Sequence, residues 1–299
     1  MERIGKYVVH KSVQATGYAR IIFCHDPDLQ IPVALKVFAA KARDGDPLSV
    51  PQWQARFLAE ARALAAFDHP HIIAVKTMET GADGRPFFVM PYMAANLRFE
   101  IGKDNVADGE DKSRRLPLAR TLSLLKQTSS GLMSLHRRGM VHRAIKPGNL
   151  LLTARENGQI KLADFSMVKL PERNPPLPDH WLGDTDYCAP EQRENATTVD
   201  ARADVYSLGV LTYRLLTGAL PDLSAGAVEL PDKYAGILVK LVREATDPDP
   251  AGRPAHAGAF LQGLGQVPAE VVVKPKVQVI PMRRVPAAAK VEAKAAGAQ

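Results

Sequence analysis

The sequence predicts an α+β chain of two unequal lobes: a small strand-rich lobe carrying one helix over residues 1–90, then a larger, mainly helical lobe over residues 94–265. That expectation rests on three features. Short apolar runs separated by turn residues fill the first ninety positions, one helical stripe interrupts them, and beyond Met90 the apolar spacing becomes helical. In chain order, strands are expected at residues 7–9, 19–24, 33–38, 72–78 and 87–90. Between the third and fourth, Trp53, Phe57, Ala61 and Leu64 recur at i, i+4, i+8 and i+11, one apolar stripe about three turns long. Residues 103–115 are charged and read as a surface insertion. Leu118, Leu122, Leu125, Leu132 and Leu135 then mark a long amphipathic helix. Residues 204–217 are apolar nearly all round, the pattern of a buried helix, and Gly218 is placed to end it.

Composition narrows the class. An apolar content of 46% over 299 residues supports a real core and excludes disorder throughout. Cys24 and Cys188 lie far apart without CxxC or histidine-rich company, so neither a disulfide framework nor a zinc site is expected. No apolar run reaches the length of a membrane span, and the N-terminus lacks a signal-peptide core, so the chain is expected to be cytoplasmic. The net charge of +7 is concentrated at one end: beyond Val271, Lys274, Lys276, Arg283, Arg284, Lys290 and Lys294 stand against Glu292 alone. Residues 266–299 therefore read as a basic, Pro/Ala-rich disordered tail. No nucleic-acid partner is expected, and membrane contact only through that tail.

Chemistry enters at Val33-Ala34-Leu35-Lys36, where a lysine closes an apolar strand and needs a carboxylate or phosphate partner. Glu60, on the following helix, is a candidate. His142-Arg143-Ala144-Ile145-Lys146-Pro147-Gly148-Asn149-Leu150-Leu151, then Ala163-Asp164-Phe165-Ser166, then Ala189-Pro190-Glu191, follow in order. This series resembles the signature set of the protein kinase family, in its bacterial serine/threonine branch, from about Tyr7 to Gln262. Asp204-Val205-Tyr206-Ser207-Leu208-Gly209 looks like the family's buried large-lobe helix, and Arg253 like the partner of Glu191.

The resemblance implies a bilobal kinase fold with ATP and magnesium as ligands. Lys36, steadied by Glu60, would hold the α- and β-phosphates, and Asn149 and Asp164 would ligate the metal. Ile21, Ala34 and Leu151 match the adenine sandwich, Met90 the gatekeeper, and Pro91, Tyr92 and Met93 the hinge. Leu64, Val75, His142 and Phe165 match the stack that joins the lobes, and Asp204 would brace the catalytic loop.

Departures from the family pattern are equally legible. Ala144 stands where the family has the aspartate that orients the substrate hydroxyl and takes its proton, and a methyl group does neither. The three loop glycines fall at Gln14, Thr16 and Ala19, so the loop should cover phosphates poorly. Ser166 replaces a glycine. Residues 167–184 contain no serine, threonine or tyrosine, which argues against a switch by phosphorylation there, and Lys146 is expected to pair with Asp184. The leading expectation is a catalytically impaired pseudokinase that binds ATP and magnesium and acts by regulation or scaffolding. The alternatives are an active kinase of low turnover (or an inactivated mutant of one) that transfers the γ-phosphate to protein hydroxyls, and a nucleotide-free scaffold in which Lys36 and Glu60 are a structural ion pair. The residues specify no protein substrate or partner.

Overall fold

The computed structural model describes residues 2–268 except 42–44, 47, 94, 103, 105–112, 154–157, 172–184, 224–227, 229, 232–233 and 235. The first lobe is an antiparallel sheet in the order β1-β2-β3-β4-β6-β5, built from β1 (Arg3–Ile4), β2 (Tyr7–Ala15), β3 (Ala19–Asp26), β4 (Ile31–Phe38), β5 (Thr77–Thr80) and β6 (Pro86–Pro91). One helix, α1 (Val50–Ala65), packs on it. Its entry is set by Pro51 in the first turn and by the Gln52 side chain, which accepts from the Ser49 backbone N–H at 2.8 Å. Phe57 of the expected apolar stripe meets Phe38 of β4 and Phe88 of β6, with ring centroids 5.7 and 5.2 Å away.

The second lobe is mainly helical: α2 (Arg98–Ile101), α3 (Leu118–His136), α4 (Pro190–Glu194), α5 (Ala201–Thr217), α6 (Gly236–Ala245) and α7 (Ala257–Gly265). A three-stranded sheet, β7 (Ala95–Asn96), β8 (Leu150–Leu152) and β9 (Ile160–Leu162), lies where the two lobes meet. Helix α5 is the buried axis. Nearly every residue from Ala203 to Leu216 is buried, and Gly218 ends the helix at φ +86°, a left-handed position suited to glycine. Gly209 permits close contact with α6, since a Cβ there would stand 2.6 Å from Thr246 and 2.9 Å from Ala245.

Three expectations are corrected. Residues 72–76 do not extend the strand at 77–80. Ile72 instead bridges Leu162 of β9, and the Ile73 N–H donates to the Leu162 carbonyl, so this stretch is used to tie the lobes together. The charged segment 103–115 is not simply a surface insertion, because Asp104 is buried in an ion pair at 2.8 Å with the fully buried Arg214. The core also runs slightly past residue 265, since Val267 is buried; residues 269–299 lie outside the described residues. Cys24 and Cys188 are free and buried. Among the described residues, no helix is long and apolar enough to cross a membrane.

Candidate functional site

Strand pairing fixes the roof of the site. Within β4, Lys36 pairs with Ile21 of β3 and Phe88 of β6, while Ala34 pairs with Met90 and Val33 with Pro91. Ala34 and Met90 are buried, Ile21 and Pro91 half-buried, and Met93 packs against the main core. Leu151 of β8 is half-buried on the lower side. Six of the seven residues assigned to the adenine site and hinge thus come from β3, β4, β6 and the residues just beyond, and the seventh, Leu151, from the other lobe.

Helix α1 brings Glu60 under β4. The Lys36 ammonium lies 2.7 and 2.8 Å from the Glu60 carboxylate oxygens and 3.1 Å from Asp164 Oδ1. Lys36 and Glu60 are buried, whereas the Asp164 side chain keeps 34% of its exposure. Burial alone would discharge the lysine, but Asp164 and Glu60 outweigh it and hold the ammonium well above its ordinary pKa. Burial pushes the Glu60 carboxyl up to about 7 against the pull of Lys36. Burial also works upward at Asp164, yet Lys36 and the Ser166 hydroxyl hold it down to about 2. Asp164 adopts φ +63°, a conformation uncommon outside glycine that tends to mark functional positions.

Below the cleft, Asp204 organises the loop. Its carboxylate accepts the backbone N–H of His142 at 2.8 Å and of Arg143 at 2.7 Å, and pairs with His136 Nε2 at 2.8 Å. Those bonds hold Arg143 at φ +64°. The buried Arg143 guanidinium donates from Nε to the Met167 carbonyl at 2.5 Å and from Nη1 to that of Ala196 at 2.7 Å. Burial, assisted by the nearby Arg56 charge, lowers it to about 9. Half-buried Ala144 follows, and its carbonyl accepts from Asn149 Nδ2 at 2.8 Å, which turns the amide oxygen of Asn149 the other way. Lys146 is half-buried, and its carbonyl accepts the Asn149 N–H at 3.0 Å; Asp184, its expected partner, lies outside the described residues.

Phe165 is fully buried against His142, centroids 5.1 Å apart, and against Phe67 at 6.1 Å, with Leu64 buried and Val75 at the edge of the same core. Arg253 forks onto Glu191 at 2.7 and 2.9 Å. Magnesium fits the donor set, since Asp164 supplies a carboxylate and Asn149 an amide oxygen, both hard ligands of the kind that ion shares with phosphates.

Sequence reading alone missed Tyr18, Trp53 and Arg56 as parts of this site. Trp53, read as one member of a core stripe, stacks on Tyr18 at 4.7 Å and 4°, and Arg56 Nη2 donates to the Ser166 carbonyl. The available signal was spacing, because positions 53 and 56 share one helix face with Glu60.

Comparison with known proteins agrees with this geometry. Residues 7–245 match the protein kinase domain family. The chain is 33% identical over 281 residues to the serine/threonine-protein kinase PknL of Mycobacterium bovis, spanning 87% of this chain and 66% of that protein. It is 34% identical to the DNA damage-responsive serine/threonine-protein kinase RqkA of Deinococcus radiodurans, spanning 82% and 34%. The curated relatives are therefore longer than the matched region. The solved kinase domain of Mycobacterium tuberculosis PknI superposes with a TM-score of 0.63 at 24% identity, covering 89% of this chain and 97% of that one, a likeness of fold. The chain belongs to the protein kinase domain family.

Proposed function

We propose that the chain binds ATP and magnesium between its lobes and transfers the γ-phosphate to protein serine or threonine hydroxyls at low turnover. The observation that carries this reading is the Lys36, Glu60 and Asp164 cluster, with the ammonium 2.7 Å from one carboxylate and 3.1 Å from the other. A buried ammonium gripped by a neighbouring helix, beside a partly exposed carboxylate held ionised, suits phosphate and metal binding more than a purely structural ion pair. The names of the relatives, serine/threonine-protein kinases, agree.

Roles follow residue by residue. Lys36 would bind the α- and β-phosphates, Glu60 would fix its rotamer, and Asp164 and Asn149 would hold magnesium, which neutralises charge on the transferring group. Ile21, Ala34 and Leu151 would clasp adenine beside Met90, and the backbone at Pro91 and Met93 would read its edge. Lys146 would face the transferred phosphate. Ala144 offers no group to orient or deprotonate the acceptor, a loss of about 10²–10⁴ in rate. Positioning and electrostatics remain, and they supply most of the catalysis in phosphoryl transfer.

A second reading is favoured by Ala144 itself: nucleotide binding without useful turnover, the output being regulation or scaffolding of a protein partner. Thermal unfolding with ATP, with ATP and magnesium, and with ATP and EDTA tests the reading common to both. A ligand at a hundred times its Kd stabilises by about 2.7 kcal/mol, so a magnesium-dependent rise in Tm is expected. No shift at millimolar ATP would reject it and leave the nucleotide-free scaffold.

A further inference from the structure

Two departures in the sequence, the loop without its glycines and Ser166 after Asp164-Phe165, both reach helix α1. The loop between β2 and β3 is tied into a turn by Thr16, whose N–H donates to the Ala19 carbonyl at 2.8 Å and whose hydroxyl accepts the Ala19 N–H at 3.1 Å. Tyr18 is held by its own carbonyl, which accepts the Ala39 N–H at 2.7 Å. Its side chain is not displayed to solvent, since only 9% of Tyr18 is exposed. The ring lies flat on Trp53 of α1, and the Lys36 ammonium stands 5.7 Å from the ring centre. Burial raises the phenol's pKa well above its ordinary value, so it stays neutral and brings no charge of its own to compete with Asp164 and Glu60.

Helix α1 thereby reaches three parts of the site from one face. Trp53 meets the loop through Tyr18, Arg56 meets the segment after Asp164 through the Ser166 carbonyl, and Glu60 meets β4 through Lys36. Tyr18 is enclosed among the cation and the carboxylate that phosphate and magnesium would use. An aromatic ring in that place excludes a triphosphate tail from the volume it fills, whereas the adenine positions at Ala34, Met90 and Leu151 belong to other strands.

We propose that Tyr18 is an internal cover over the phosphate-holding groups, seated on Trp53, which the polyphosphate of a nucleotide must displace and a bare nucleoside need not. The proposal rests on the nucleotide reading above and adds to it a discrimination between ligands with and without phosphates.

The test is calorimetric titration of the full chain, of Tyr18→Ala and of Tyr18→Phe with adenosine, ADP and Mg-ATP. Trp53 emission is followed alongside in a Trp181→Phe background, which leaves Trp53 as the sole tryptophan. If the uncovered state is about a tenth of the population, Tyr18→Ala tightens ADP and Mg-ATP about tenfold and leaves adenosine unchanged. Tyr18→Phe, which keeps the ring and its stack on Trp53, binds all three ligands as the wild type does. Mg-ATP, but not adenosine, shifts Trp53 emission to the red as the stack opens. Equal or weaker Mg-ATP binding by Tyr18→Ala, with binding by the wild type intact, overturns the cover and spares the nucleotide reading. Failure of all three ligands to bind any of the proteins overturns both.

Discussion

The floor and the roof of the cleft have been treated differently. In the floor, Asp204 holds the backbone of His142 and Arg143, Asn149 ties down the backbone of Ala144, and Arg253 forks onto Glu191; apart from Ala144, every residue in these bonds matches the family pattern. In the roof, Gln14, Thr16 and Ala19 replace glycines, and the loop is closed by its own hydroxyl and by an aromatic stack. The difference follows from burial. Asp204 is fully buried with its partners, so changing it strands several polar groups at once, while Gln14 and Thr16 of the loop face water and are exchanged cheaply. Ala144 belongs to the floor by position and to the roof by fate: its backbone is held by the preserved network, while its side chain carries no packing that the fold requires.

The sharpest way to break this comparison is to cut the floor. Asp204→Ala leaves two buried backbone N–H groups and His136 without their acceptor, and a loss of about 3–5 kcal/mol in unfolding free energy is expected from urea titration. Gly209→Ala, also in the lower lobe, forces a methyl against Thr246 and Ala245 and should cost about 1–3 kcal/mol in the same assay. The roof should respond far less. Thr16→Gly, which removes the hydroxyl that closes the loop, is expected to cost under about 1 kcal/mol.

A further effect is one of pH. Asp164 is held down to about 2 in the folded chain, below the ordinary carboxylate value, so its ionised form favours the folded state above about pH 5. That contribution is lost as pH falls from about 4 toward 2. Tm measured against pH for wild type and Asp164→Asn should therefore draw together over that interval, and parallel curves would contradict the assignment.

Most of the lower lobe was legible in the sequence because its signals are local and redundant. The apolar run around Val205 to Leu216 can only be a buried helix, Gly218 ends it, and motif residues such as Asn149 and Asp164 stand at fixed offsets. Strands β3, β4 and β6 were legible for the same reason. Two kinds of feature were not. Residues 72–75 look like a strand because they are apolar, but Ile72 and Ile73 pair with Leu162 of β9 in the other lobe, a pairing that spacing along the chain does not encode. Asp104 looks like one charge in a solvated run, and only its partner Arg214, 110 positions away, makes it a buried ion pair. The Tyr18 and Trp53 stack was hidden likewise, since each residue has an ordinary explanation within its own element.

The central claim is that the floor retains a working phosphoryl-transfer frame from which one group has been removed. Ala144→Asp tests it most directly, with transfer of labelled phosphate from ATP to a generic basic protein measured alongside wild type and a Lys36→Met control. A gain of about 10²–10⁴ over wild type, lost again when Lys36→Met is added, is the predicted result. No gain, in a variant that folds and binds Mg-ATP as the wild type does, would contradict the account and locate the deficit in the roof.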